Sequence, residues 1–75
     1  MRNYVVTFFS HYDAMVLASF LKAQNIEARL MPTPRKISAS CGTCVSFAVD
    51  GEFDFLDFEV DGVYEEVITG FSKLG

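Results

Sequence analysis

The sequence predicts a small domain of the α+β class, in which short strands and helices share one sheet. Its 75 residues are 51% hydrophobic and 15% aromatic, a composition too apolar for a disordered chain and a length too short for two ordinary domains. Segments rich in β-branched and aromatic residues alternate with a segment whose apolar residues recur at helical spacing. We therefore treat residues 1–75 as a single domain built around one core.

The first two predicted elements are a strand and a helix. Residues 3–9 are rich in β-branched and aromatic side chains, which is typical of a strand. Ser10 and Asp13 have the spacing of a capping box, which marks the beginning of a helix. The apolar residues that follow at i, i+3, i+4 and i+7 are Ala14, Leu17, Ala18 and Leu21. This stripe predicts a helix over about residues 11–24, buried on one side.

Two further strands flank a loop. Residues 26–31 alternate and predict the second strand, which Pro32 ends because proline has no amide donor. Residues 43–49 alternate again and predict the third strand. Its two faces are expected to carry Val45, Phe47 and Val49 on one side and Cys44, Ser46 and Ala48 on the other. Residues 35–42 have no hydrophobic period and predict an exposed loop near a ligand or a reacting group.

The last third of the chain fits two topologies. In the first, a short helix near residues 51–57 precedes a last strand near 58–67, which gives the order β-α-β-β-α-β. In the second, a strand near residues 53–60 precedes a closing helix near 62–73, which gives β-α-β-β-β-α. The apolar residues whose spacing suggests the closing helix are Val63, Tyr64, Val67, Ile68, Phe71 and Leu74. The pattern leaves both arrangements open.

Charge is distributed unevenly along the chain. Residues 1–49 hold five of the six Lys and Arg residues and two acids, a balance of +3, whereas residues 50–75 hold one Lys and eight acids, a balance of −7. The net charge of −4 argues against a nucleic-acid-binding module, whose affinity depends on cations that neutralise phosphates. The apolar run at residues 4–9 is too short for a secretory or membrane-spanning segment. We therefore expect a cytoplasmic protein without a membrane partner, whose acids form a solvated face.

Composition also predicts self-association. Eight Phe residues in 75 carry more apolar surface than a core of this size covers easily. We expect a homodimer that persists at high salt, because exposed charges between the two parts of the chain are screened. The C-terminal apolar residues expected in its interface are Phe53, Phe55, Phe58, Val63 and Phe71.

The loop after the second strand carries the sharpest candidate for chemistry. The candidate residues are Arg35, Lys36, Ser38, Ser40, Cys41 and Gly42. Nearby cations and loop amides lower the pKa of a thiol and raise the fraction of thiolate at neutral pH. These neighbours favour Cys41 as a nucleophile. The alternative interpretation is that Cys41 packs as a small hydrophobic side chain.

Cys41 and Cys44 together form a C-x-x-C pair. Without a secretion signal the thiols should stay reduced, so a structural disulfide is the weaker expectation. His11 is the one other nitrogen or sulfur ligand, which leaves a zinc site at least one ligand short, and we expect neither a metal nor another cofactor. Cys44 is either a resolving thiol or an ordinary small side chain of the strand. His11 follows the helix cap and is assigned no catalytic role.

The segment that leads to Cys41 resembles a known family. Residues 29–42 read Arg-Leu-Met-Pro-Thr-Pro-Arg-Lys-Ile-Ser-Ala-Ser-Cys-Gly, and a Tyr-Val-Val-Thr-Phe strand at residues 4–8 and a capped helix precede them. With this Pro-Thr-Pro-Arg segment and Ser-Cys-Gly step, the chain resembles the selenium/sulfur carrier-like family of small bacterial proteins over about residues 3–49. The resemblance implies a ferredoxin-like β-α-β-β-α-β sandwich with two helices and a carrier function.

Two functions remain as hypotheses. The resemblance implies a carrier without enzymatic activity of its own. In it, Cys41 accepts a persulfide or selenopersulfide from a cysteine desulfurase-like donor and passes the atom to an acceptor enzyme. Arg35 and Lys36 would steady the anion, while Ser38, Ser40 and the backbone amides near Gly42 would donate hydrogen bonds. The alternative is a small anion-binding or regulatory interaction module, in which the same loop holds an anion and Cys41 performs no thiol chemistry.

Overall fold

A computed structural model of the protein describes residues 2–37, 42–51, 53–55 and 58–74, and these residues form one helix and a five-stranded antiparallel sheet. The elements are β1 (Arg2–Thr7), α1 (His11–Ala23), β2 (Ala28–Pro32), β3 (Thr43–Val49), β4 (Gly62–Val67) and β5 (Gly70–Lys73). The predicted α+β class is confirmed. The second helix implied by the resemblance does not occur within the described residues.

The strands lie in the order β2-β3-β1-β4-β5. The central strand β1 pairs antiparallel with both β3 and β4, so that Tyr4 lies opposite Phe47 on one side and Glu65 on the other. Because β2 and β1 are both antiparallel to β3, these two strands point the same way, and α1 connects them across one face of the sheet. This arrangement brings the ends of β1 and β2 and the beginnings of α1 and β3 to the same end of the sheet.

The predicted cap begins α1, and a left-handed residue ends it. The Ser10 hydroxyl oxygen accepts a hydrogen bond from the Asp13 amide at 3.3 Å, and the same hydroxyl lies 3.0 Å from the Asp13 carboxylate, to which it donates. At the other end, Asn25 adopts a left-handed conformation with φ 61°, which ends the helix. The predicted stripe is buried against the sheet and consists of Ala14, Leu17, Ala18 and Leu21.

The sheet has two different faces. The face covered by α1 holds the main core, whose sheet members are Tyr4, Val6, Val45, Phe47 and Val63. The opposite face, called here the second face, is not covered by a helix among the described residues. It carries a smaller cluster of buried Val5, Ile37 and Cys44, with Met31, Tyr64 and Phe71 partly buried beside them. The predicted division of β3 between the two faces is confirmed, because Val45 and Cys44 lie in different clusters.

The predicted closing helix near residues 62–73 is wrong, because these residues form the β4-β5 hairpin. The two strands pair from Tyr64 opposite Lys73 to Val67 opposite Gly70, and Gly70 adopts a φ of 139° that L side chains rarely reach. The last strand predicted near residues 58–67 overlaps β4. Residues 53–55, which belong to the alternative predictions of a helix and of a strand, form neither.

Three aromatic side chains of the C-terminal part, those of Phe53, Phe55 and Phe58, pack against other residues of the same chain. Phe53 lies 5.3 Å from Phe47 between ring centroids, and Phe58 lies 5.3 Å from Phe20 on α1. These contacts place residues 53–55 and 58–60 on the same face as α1. They also bury much of the surface that was expected to form a dimer, while the outer side of α1 remains exposed, most of all at Tyr12 (73%).

The length of α1 can be compared with the length of helix that a bilayer requires. This helix has 13 residues, and among the described residues there is no helix with the length and apolarity needed to cross a bilayer.

Candidate functional site

The structure describes part of the predicted site. The predicted residues outside the described ones are Ser38, Ser40 and Cys41. Arg35, Lys36 and Gly42 are described, and all three are exposed. They lie on the two sides of the cysteine segment, so the structure defines how the chain leaves β2 and how it enters β3.

The two ends of the loop are held together. Pro32 pairs with Thr43 at the end of the β2-β3 ladder. One step further, the Thr33 amide donates a hydrogen bond to the Gly42 carbonyl at 2.9 Å. Gly42 directly follows Cys41 in the sequence. The candidate nucleophile is therefore bonded to a residue whose backbone is fixed against the opposite end of the loop.

Ile37 anchors the first part of the loop. Its side chain is 5% exposed and packs in the second-face cluster with Val5 and Cys44. The Ile37 amide donates to the Pro34 carbonyl at 3.0 Å, which closes a tight turn with Arg35 and Lys36 at its exposed corner. Burial of Ile37 thus places the two cations beside the second face. The sequence predicts an exposed loop over residues 35–42, and the buried side chain of Ile37 corrects that prediction.

Cys44 occupies a different environment from that of an accessible thiol. Its side chain is 0% exposed, and its thiol lies 3.7 Å from the Pro32 carbonyl, to which it donates. Burial raises the pKa of the Cys44 thiol, and a hydrogen bond with Thr33 acts in the opposite direction with a smaller effect. This geometry matches the packing interpretation of Cys44. A resolving role would need the β2-β3 end to open, and that role stays a prediction.

His11 lies next to the beginning of β3. Its Nδ1 atom is 3.3 Å from the Thr43 hydroxyl, and the side chain is exposed. Thr43 follows Cys41 by two residues, so the beginning of α1 and the end of the cysteine loop lie at the same end of the sheet. The amide groups at a helix N-terminus carry partial positive charge. The sequence predicts no catalytic role for His11, and the contact with Thr43, 32 residues away along the chain, leaves no signal in the sequence.

The described residues contain no group of three or more His, Cys, Asp or Glu side chains placed to hold a metal ion. An open cleft of about 690 Å³ lies at the opposite end of β2 from the cysteine loop. Its lining mixes Arg29 with Glu27 and Asp50 and with apolar Ile26 and Phe53. Because charges of both signs line this cleft, its lining does not indicate which class of ligand it would bind.

Comparison with known proteins gives one match. A family model described as "Putative Se/S carrier protein-like" matches residues 3–64. The matched range runs from β1 into β4 and includes the cysteine loop. No curated protein and no solved structure matches the chain. The resemblance found in the sequence is thereby confirmed, and since the match spans most of the 75 residues, the chain belongs to the Se/S carrier protein-like family.

Proposed function

We propose that the protein carries sulfur or selenium on Cys41 and hands the atom to an acceptor enzyme. Membership of the Se/S carrier protein-like family is the observation that carries this proposal. Two features of the chain support the choice of Cys41 over Cys44. Gly42, next to Cys41, is exposed, whereas the Cys44 thiol is fully buried with a raised pKa.

The transfer needs one accessible thiolate and two partners. The Cys41 thiolate attacks the terminal sulfur of a persulfide on the donor, a new S–S bond forms, and the donor's S–S bond breaks. The bonding electron pair stays on the donor cysteine, which leaves as a thiolate, so the exchange involves no net oxidation. A nucleophile of the acceptor then attacks the terminal sulfur on Cys41 and releases the Cys41 thiolate. Selenium follows the same sequence when it replaces the terminal sulfur.

The loop supplies groups suited to an anionic cargo. A persulfide on Cys41 carries negative charge, and the exposed Arg35 and Lys36 lie on the same loop. Ser38 and Ser40 would add hydroxyl donors, and the backbone amides near Gly42 would add further donors. The chain itself catalyses no reaction in this proposal, since a carrier needs a nucleophile and a docking surface but no second catalytic group.

The proposal includes the cell compartment and the partners. A cysteine desulfurase-like enzyme is the donor, and the acceptor is an enzyme that uses the delivered atom. Free thiols persist in the reducing cytoplasm, where we place the carrier. We also propose that the carrier is a homodimer. Because Phe53, Phe55 and Phe58 pack against the chain's own core, we assign the interface to the exposed apolar side of α1, which includes Tyr12, Met15 and Val16.

Intact-mass spectrometry after incubation with a cysteine desulfurase and free cysteine tests the carrier function. We expect the wild-type chain to gain the mass of one sulfur atom, and this gain should disappear on reduction with a small thiol. The Cys44→Ala variant should gain the same mass, and the Cys41→Ala variant should gain none.

Cys44→Ala is the matched control, because it removes the other thiol of the C-x-x-C pair and leaves Cys41 in place. Circular dichroism of both variants verifies that the sheet is intact. The absence of an adduct on every folded variant, with a donor shown to be active on cysteine, would contradict the carrier function. It would leave the anion-binding module as the better hypothesis.

A further inference from the structure

The register of the sheet places cations at both edges of the second face. Residues directly opposite each other on paired strands project from the same face. Val5 belongs to the second-face cluster and lies opposite Ser46 on β3 and Tyr64 on β4. Ser46 in turn lies opposite Arg29, and Tyr64 lies opposite Lys73. Arg29 and Lys73 are therefore on the second face, one on each edge strand, and both are exposed.

The cysteine loop adds two more cations to this face. Arg35 and Lys36 are exposed and directly precede Ile37, whose side chain is buried in the second-face cluster. The described strands contribute Glu66 to this face, since it lies opposite Phe71 of the same cluster, and the acids Glu27 and Asp50 line the cleft beside Arg29. The four exposed cations of the second face are Arg29, Arg35, Lys36 and Lys73.

Three described acids of the C-terminal part lie on the other side of the sheet. Phe53, Phe55 and Phe58 pack against the main core beside α1, and the neighbouring acids Asp54 and Glu59 are exposed. Glu65 lies opposite Tyr4 of the main core and pairs with Arg2 at 3.4 Å. A chain with a net charge of −4 thus concentrates its positive charge on one face.

We propose that the second face is the docking surface for an acidic partner, namely the surface that surrounds the persulfide of the sulfur donor. This inference rests on the proposed carrier function. It adds which face of the sheet contacts the donor and which sign of charge the donor surface carries. The donor persulfide is an anion, and a cationic face steers it toward the loop against the net negative charge of the carrier. The partly buried Met31, Tyr64 and Phe71 supply apolar contact area on the same face.

A titration of the full chain with hexaglutamate, followed by NMR at low ionic strength, tests the surface. We expect the amide shifts to change around Arg29, Arg35 and Lys73 rather than on α1. The Lys73→Glu variant should lose about threefold or more in affinity, because a favourable exposed charge becomes repulsive. Lys22→Glu is the matched control, since it makes the same change of charge at an exposed position of α1, and it should bind nearly as well as wild type. At ~1 M salt the difference should vanish, because screening then acts within ~3 Å.

The same variants distinguish this inference from the carrier proposal. Loading of Cys41 by the desulfurase should proceed more slowly in Lys73→Glu than in Lys22→Glu at low salt. Shifts that map to α1, or equal effects of both variants in both assays, would overturn the docking surface even if Cys41 becomes loaded. Binding of hexaglutamate at the second face without any loading of Cys41 would contradict the carrier function and leave the surface standing. Tighter binding of a single-stranded oligonucleotide at this face would overturn the assignment to a protein partner.

Discussion

Replacement of Ile37 by alanine removes the side chain that fastens the cysteine loop to the second face. Ile37 is 5% exposed, and truncation of a buried isoleucine to alanine costs about 2–5 kcal/mol. We expect the lower end, about 2 kcal/mol, because the cluster is small and its partly exposed neighbours Met31, Tyr64 and Phe71 can close over the space. A domain of this size has roughly 4–11 kcal/mol of total stability, so the variant should still fold.

Urea unfolding followed by circular dichroism measures this loss. With a denaturant slope of about 1 kcal/mol per molar, the midpoint should fall by about 2 M. Hydrogen exchange of the Thr33 amide gives a local readout, because its bond to the Gly42 carbonyl closes the loop that Ile37 anchors. Exchange of this amide should accelerate more than exchange of the β1 amides.

Ile68→Ala is the matched control, since it makes the same chemical change at a fully exposed position in the β4-β5 turn. Its unfolding free energy should stay within about 0.5 kcal/mol of wild type. If Ile37→Ala behaves like Ile68→Ala, both in urea and in the exchange of the Thr33 amide, then Ile37 does not anchor the loop and the placement of the cations beside the second face loses its basis.

Alkylation of Cys41 by iodoacetamide in a Cys44→Ala background should titrate below the ~8.5 pKa of a free thiol, and Arg35→Ala/Lys36→Ala should move the curve upward; coincident curves would exclude activation by these cations. Cys44, followed in a Cys41→Ala background, should react at higher pH because burial raises its pKa from 9.0. The unfolding free energy should fall as the pH rises past 9.0, because the unfolded thiol then loses its proton before the folded one. A pH profile of Cys44 reactivity like that of a model thiol would refute the argument that burial raises the pKa. Ser10→Ala should cost about 1 kcal/mol in urea unfolding through loss of the N-cap, and no change would show that the cap is dispensable. Sedimentation equilibrium should give a dimer at micromolar concentration in low and high NaCl; a single-chain mass throughout would reject the dimer.

The elements with strong local signals could be predicted from the sequence. Ser10 and Asp13 mark the beginning of α1 because a capping box acts within four residues. The alternation of residues 43–49 gives both the bounds of β3 and the faces of its side chains, since a strand has a period of two. For these elements the local preference and the final packing agree.

The C-terminal hairpin could not be distinguished from a helix by spacing alone. Val63, Val67 and Phe71 recur every four residues, as on one face of a helix, but a turn at Ile68 and Thr69 folds the segment back on itself. Gly70, placed directly after β-branched residues, was the available signal for a turn. The pairing with β1 that stabilises β4 is a tertiary contact and leaves no local mark on the sequence.

For the candidate site, the sequence predicts a chemistry but not the arrangement of the residues. Cations before a cysteine are visible in the sequence, which is how Arg35 and Lys36 were found. The bond from Thr33 to Gly42 and the contact of His11 with Thr43 join residues that are distant along the chain. The direction of the loop likewise depends on the burial of Ile37. A single apolar residue among polar neighbours gives no sign in the sequence that its side chain is buried.

The central position of β1 has a consequence for the synthesis of the protein on the ribosome. β1 is the first strand to emerge, yet both of its partners, β3 and β4, come later, and Tyr4 pairs with Glu65 only when most of the chain has left the exit tunnel. The apolar Tyr-Val-Val segment presents two open edges until β3 emerges and one open edge until β4 emerges, and open edges favour aggregation. Release of the chain before residue 62 would leave one edge of β1 without its β4 partner. Nascent chains that end before residue 62 should therefore depend on chaperones more than the finished protein does.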